Sequence, residues 1–329
     1  MAIFADNPAL LDSWYVVAES ADVTDTPVGV ALLTRPLVLW RCPDGRVAAA
    51  PDRCPHREAP LSIGSLEAGE LRCIYHGWRF GNEGRCVAVP SNAADTPIPP
   101  AAHLPVLECR ERYGLVWVCP GTPTGSIPEI SHDDDAAFRR INTGVQTWQA
   151  SATRLTDNFL DISHFPWVHT GTFGAGQDTR VPHLELGDLD DGWYGYAYEV
   201  DANNPDEASV TSGSTDDVVH RWMTTGFHLP FSVRSTIRYA DGLEHILLLI
   251  STPVDDVTSL FTFVVWRNDD FSVDPREVVS FDRAIGAEDK VMLEKVPGVL
   301  PLVQTGVASV QADKASVEWR RQLVAMLDA

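Results

Sequence analysis

The chain has 329 residues, 44% hydrophobic and 22% charged, the balance of a soluble globular protein with room for about two domains. Its formal charge of −21 repels a phosphate backbone and argues against nucleic-acid binding. The longest apolar run, residues 246–250, falls far short of the ~20 residues that span a bilayer, and the N-terminus lacks a basic region followed by an apolar stretch, so a cytoplasmic protein without membrane association is expected.

In chain order, residues 14–18 and 28–40 read as strands that wrap a metal-binding segment. In that segment Cys54-x-His56 is followed by Cys73-x-x-His76. Zinc could use these four groups. Zinc fingers, however, place Cys with Cys and His with His, whereas here each half supplies one of each. Two thiolates can then bind one iron and two imidazoles the other, which is how a Rieske [2Fe–2S] cluster divides its ligands. Pro55, Gly64, Gly69, Gly77, Gly81 and Gly84 permit tight loops, and Tyr75 and Trp78 are expected to close the cluster from water. The runs Cys-Pro-His-Arg and Cys-x-Tyr-His-Gly-Trp resemble the Rieske family. Cys42, Cys86, Cys109 and Cys119 lie in apolar, strand-like contexts and are read as buried small hydrophobes.

Residues 104–119 read as a returning hairpin, and residues 121–128 are a turn-rich boundary. The expected domains are 1–144, binding the cluster, and 145–329. In the second, Asn158, Asp161 and His164 recur every three residues, which would stack them on one helical face. His169 follows five residues later, about 140° away on a regular helix. Pro166 lies between the two histidines, so a distorted helix could bring both imidazoles to one ion. Alone, this would suit a pair of half-buried histidines equally well. Beside a Rieske centre it suggests two members of the two-His, one-carboxylate triad of non-haem Fe(II) oxygenases. Strands are expected near 193–200, 218–224, 232–239, 245–253 and 259–267, with helices after Pro275 and Asp313. Helices on an antiparallel sheet make an α+β domain. The Asp-rich stretches at 132–135 and 188–192 read as exposed loops. No G-x-G-x-x-G fingerprint occurs, so no nicotinamide or flavin site is expected in this chain, and electrons are expected from a separate reductase, directly or through a ferredoxin.

The two motifs, in this order and over most of the chain, resemble the catalytic alpha subunit of the Rieske non-haem iron oxygenases, in the homotrimeric monooxygenase and O-demethylase branch. The resemblance implies an N-terminal all-β Rieske domain followed by a helix-grip catalytic domain. It implies a [2Fe–2S] cluster on Cys54, His56, Cys73 and His76, and a mononuclear Fe(II) on His164 and His169. The third ligand would be Asp289, with Glu288, Asp282 and Glu294 as alternatives. Asn158 and Asp161 would be catalytic groups that are not ligands, with Asp161 bridging to His76 of a neighbouring subunit in a homotrimer. The implied function is that of a terminal oxygenase that hydroxylates or oxidatively demethylates a small aromatic or cyclic substrate with O2. Aromatic cis-dihydroxylation is the alternative, and a non-enzymatic Rieske electron carrier a more remote one. The substrate is not specified. Phe173, His228, His245 and Phe281 are candidate pocket residues.

Overall fold

A computed structural model describes residues 4–303 and 306–328. The chain divides into two compact units, one ending at Ile127 and the other beginning at Pro128. The division precedes the expected 144/145 boundary because Arg139–Asn142 is a strand hydrogen-bonded to Ser259–Arg267, which ties residues after 127 to the second unit. No helix among the described residues is long and apolar enough to cross a membrane.

The first unit is built from three small antiparallel sheets. Tyr15–Glu19 pairs with Leu115–Cys119, which pairs with Glu108–Arg112; the hairpin between the last two turns at Tyr113 and Gly114, both at positive φ. The expected strand over 28–40 is instead two strands, Val28–Leu32 and Arg35–Arg41, turning at Leu33 and Thr34 with φ of 49° and 64°. Neither residue favours that conformation, so the turn leaves no signal in the sequence. The four-stranded sheet of Ser65–Glu67, Glu70–Arg72, Arg79–Phe80 and Cys86–Ala88 carries the second cysteine-histidine loop. Trp40, Leu61, Leu71, Phe80 and Leu104 form the core beside Cys54 and Cys73.

The second unit holds an eight-stranded antiparallel sheet. Its central run is Tyr194–Asn203, Val218–His228, Ser232–Arg238, Glu244–Pro253 and Ser259–Arg267, close to the expected strands. Ala152–Phe159, Ser280–Leu293 and Lys314–Leu327 are its longer helices. Val278, Val279 and Leu293 pack with Phe261, Phe263 and Val265 of the sheet, joining the helical layer to one sheet face. The Asp-rich 188–192 stretch is more than a solvated loop: Asp190 and Asp191 both pair with buried Arg234.

Candidate metal centres and substrate cavity

In the first unit the two cysteine-histidine loops have the same backbone design. The Cys54 carbonyl accepts from Glu58 N–H at 2.9 Å, and Cys54 N–H donates to the Ala59 carbonyl at 2.9 Å. The Cys73 carbonyl accepts from Gly77 N–H at 3.0 Å, and Cys73 N–H donates to the Trp78 carbonyl at 2.9 Å. Each loop turns at a left-handed residue, Glu58 at φ 60° and Gly77 at φ 70°. Asp52 clamps the chain after the first loop by accepting from the N–H groups of Leu61 and Ser62 at 2.6 and 2.7 Å.

These loops bury both cysteines at 2% exposure and bring the rings of His56 and His76 to a centroid separation of 4.4 Å. His56 stacks on Trp78 at 4.4 Å with nearly parallel rings, and its Nδ1 is buried with no hydrogen-bond partner. Burial pushes the Cys54 thiol up to about 11, so a bare thiolate is disfavoured there without a cation. Two buried thiols facing two imidazoles, one with an orphaned nitrogen, fit an iron–sulfur cluster. Of the two residues expected to close the cluster from water, Trp78 stacks on His56, whereas Tyr75 is 59% exposed with its ring 4.0 Å from that of His76. Cys42, Cys86 and Cys119 are buried free thiols; Cys109 is half-buried.

The second centre departs from the expected helical stack. The Ala152–Phe159 helix ends before Asp161, so Asn158 alone of the three lies on it. Asp161 instead organises the next turn: Oδ1 accepts from Ser163 N–H at 2.9 Å and Oδ2 from His164 N–H at 3.0 Å. His164 and His169 then flank the short Phe165–Val168 helix, one at each end. That turn compensates for the five-residue spacing and aims both rings at one point. Gly174 closes the following loop, since a Cβ there would lie 2.0 Å from the Phe165 carbonyl.

His164 Nε2 and His169 Nε2 lie 3.2 Å apart, and each is 3.5 Å from Asp289 Oδ1. Among the described residues these three are the group whose donor atoms could hold one metal ion. Their outer nitrogens are held by carboxylates, His164 Nδ1 by Asp161 at 3.0 Å and His169 Nδ1 by Glu288 at 3.1 Å. Each Nδ1 therefore carries a proton, which leaves the Nε2 lone pairs converging on each other and on a carboxylate. Only a cation relieves that convergence. Without metal, a proton serves: burial lowers the affinity of His164 for it, but Asp161 and Asp289 outweigh burial and push its pKa up to about 9. His169, where burial dominates, is lowered. The donor set fits a two-His, one-carboxylate iron.

The alternatives to Asp289 point elsewhere. Glu288 orients His169 and also accepts from Gly171 N–H at 2.8 Å and Thr172 Oγ1 at 2.7 Å. Asp282 lies against His245, 3.2 Å from its Nε2, and Glu294 accepts from Gln149 N–H at 3.0 Å. Asn158 Nδ2 donates to Asp289 Oδ1 at 3.0 Å and so fixes the carboxylate, a contact its spacing alone did not reveal.

The triad opens on a cavity of about 150 Å³. One wall is the sheet: Val200 and Ala202, Arg221 and Met223, Ser235 and Ile237 are alternate residues of neighbouring strands. Leu247, Leu249, Phe261 and Phe263 continue that period-two face. The opposite wall is the Ser280–Leu293 helix, which contributes Asp282, Ile285, Gly286 and Asp289 at helical spacing. Of the expected pocket residues, Phe173 lines the cavity, and His245 supports it through Asp282. Phe281 is buried in the core beside Phe173, and His228 packs on Trp193 away from the cavity lining.

Known proteins share both halves. Residues 13–108 match the Rieske [2Fe-2S] domain, and residues 148–329 match the vanillate O-demethylase oxygenase C-terminal domain. The methylxanthine N1-demethylase of Pseudomonas putida is 30% identical over 309 residues, covering 92% of this chain and 83% of the relative. The dicamba O-demethylase oxygenase component of Stenotrophomonas maltophilia is 39% identical over 163 residues, covering 48% of this chain and 47% of the relative. Among solved structures, the Pseudomonas putida N1-demethylase with caffeine superimposes with a TM-score of 0.84 at 28% identity, covering 99% of this chain and 93% of that one. Dicamba monooxygenase bound to 3,6-dichlorosalicylic acid gives 0.82 at 27% identity, covering 99% and 98%.

Proposed function

This chain belongs to the Rieske non-haem iron oxygenases, and we propose that it is a terminal oxygenase whose cavity takes an aromatic or cyclic substrate for hydroxylation or oxidative demethylation. Its relatives include demethylases and monooxygenases, and the family works with O2, a [2Fe–2S] cluster, a mononuclear iron and electrons from a separate reductase. When bound, the cluster passes electrons singly and the iron activates O2 for oxygen insertion into a C–H bond. Where the attacked carbon bears an ether oxygen or an amine nitrogen, the hydroxylated product falls apart and the net result is demethylation.

The observation that carries this reading is the convergence of His164 Nε2, His169 Nε2 and Asp289 Oδ1 at the wall of an apolar cavity. His164, His169 and Asp289 would hold the iron, leaving its cavity side open to O2 and substrate. Cys54, His56, Cys73 and His76 would hold the cluster. Asp161 and Glu288 keep the imidazoles in the tautomer that ligates through Nε2, and Asn158 keeps Asp289 turned towards them. The apolar sheet wall excludes water from the reacting carbon.

Asp161 and His76 belong to different units of the chain. We assign Asp161 the further role of connecting the mononuclear centre to His76 of a neighbouring subunit. Head-to-tail packing into a closed trimer supplies that neighbour. A reductase fed by NAD(P)H, directly or through a ferredoxin, suits a cytoplasmic enzyme.

The test combines metal content and products. Three irons per chain are expected, and two would leave an electron carrier. His164→Ala should lose turnover while keeping the Rieske spectrum. With labelled O2, one labelled oxygen enters the organic product; two in one product would overturn monooxygenation. An active monomer in sedimentation would overturn the trimer.

A further inference from the structure

Four arginines are buried among the described residues: Arg221, Arg234, Arg267 and Arg320. Three have carboxylate partners. Arg234 pairs with Asp190 and Asp191, Arg267 with Asp269 at 2.9 Å, and Arg320 with Asp157 at 3.4 Å. Arg267 also donates to the Thr211 and Val210 carbonyls and to His245 Nδ1. Arg221 differs. It is 6% exposed, and it alone of the four has no carboxylate in ion-pair contact among the described residues; its Nε, like those of Arg234 and Arg267, is buried without a hydrogen-bond partner. It stands on the cavity face of the Val218–His228 strand, with its guanidinium 5.8 Å from the ring centroids of both Phe173 and Tyr239.

A guanidinium stays charged at any physiological pH. Two ring faces attract it but do not neutralise it, and a buried cation without a counter-charge is costly. The carboxylates that line the cavity are Asp282 and Asp289. Asp289 belongs to the metal triad, and Asp282 lies 3.2 Å from His245 Nε2. No carboxylate among the described residues comes within ion-pair distance of Arg221, at a place where a substrate would supply one. The cavity of about 150 Å³ matches the volume that accommodates one benzene ring.

We propose that Arg221 is a specificity-determining residue that binds the carboxylate of a single-ring aromatic acid. This deepens the reading of the cavity as the oxygenase's substrate site and rests on it. The planar guanidinium fork matches a carboxylate. Arg221 comes from the sheet wall, while Asp289 comes from the helical wall. An acid held at Arg221 thus has its ring in the apolar space between anchor and metal centre.

Calorimetry on the iron-loaded full-length protein tests this, with a panel of methoxybenzoates against the matching neutral methoxybenzamides. The wild type is expected to bind its best acid about tenfold or more tightly than the amide. Arg221→Gln should abolish that preference, and Arg221→Lys should retain part of it. In thermal melts the acid should raise the melting temperature of the wild type but not of Arg221→Gln. Equal binding of acid and amide, no binding of any acid at millimolar concentration, or a preference that survives Arg221→Gln overturns the proposal. If Arg221→Gln does not fold, the wild-type comparison decides alone. Turnover separates the two readings. O2-dependent demethylation of amides and acids alike would remove the role of Arg221 and leave the oxygenase standing. Acid-selective binding without O2-dependent turnover of any panel member would sink the oxygenase reading and leave the anion site.

Discussion

His169 Nδ1 lies 3.1 Å from Glu288 Oε2, while Asp289, the next residue of the same helix, lies 3.5 Å from Nε2 of the same ring. Successive helical residues diverge by about 100°, so one helix reaches both edges of one imidazole. Glu288 sets the ring's angle and tautomer; Asp289 faces the metal position.

Glu288→Ala should therefore weaken iron binding by about tenfold to a hundredfold, the usual cost of losing the group that orients a histidine ligand. Glu288→Gln, which keeps an acceptor oxygen, should cost less. Chelator competition measures this while the Rieske absorbance stays unchanged. A normal iron content in Glu288→Ala would remove the orienting role.

Asp161→Asn tests a different link. The amide oxygen can still accept from the backbone N–H of His164, so both metals should remain bound. Turnover and the rate at which the reduced cluster is reoxidised should fall by about tenfold or more, since the charge that raises the basicity of His164 is gone. Full turnover with both metals present would exclude a connecting role.

The pH dependence of metal binding follows from His164. In the metal-free protein its pKa is raised to about 9, so at neutral pH the imidazole is protonated and metal must displace that proton. Apparent affinity should rise about tenfold per pH unit from 7 to 9 and then level off. Anaerobic titration in buffers of different ionisation enthalpy should count about one proton released at neutral pH and almost none above 9.5. The same raised value makes the pairs with Asp161 and Asp289 stabilise the apoprotein fully below the unfolded pKa of about 6.5, and that contribution fades as pH rises through 9. The iron-loaded protein should not show this loss, which melting curves of both forms would reveal.

Gly174→Ala should damage one centre and spare the other. The added Cβ would lie 2.0 Å from the Phe165 carbonyl, the acceptor for His169 N–H. Backbone must shift, and His169 with it. Mononuclear iron should be lost at an unchanged Rieske signal; equal iron in both proteins would show that the loop adapts.

Both metal motifs were legible from residue type and spacing, because ligation restricts the side chains to Cys, His and carboxylate and because each motif is local. The five sheet strands of the second unit were legible for a similar reason: β-branched and aromatic runs carry their period of two in the sequence. The turn at Leu33 and Thr34 was not, since neither residue favours positive φ and the surrounding sheet imposes it. The helical stacking of Asn158, Asp161 and His164 failed because the helix ends at Phe159 and Asp161 spends its carboxylate on the N–H groups of Ser163 and His164 in the turn that follows.

The sequence by itself therefore determined the chemistry: an iron–sulfur centre, a second histidine motif and an α+β domain to hold it. Tertiary structure decided the assignments that depend on distance between segments remote in the chain. It brought Asp289 to the histidines, turned Glu288 to the far edge of His169, joined residues 128–144 to the second unit through the Arg139–Asn142 strand, and left Arg221 buried beside aromatic rings without a carboxylate. A sequence records which groups are charged; only the fold sets which charges meet and which one waits for a ligand.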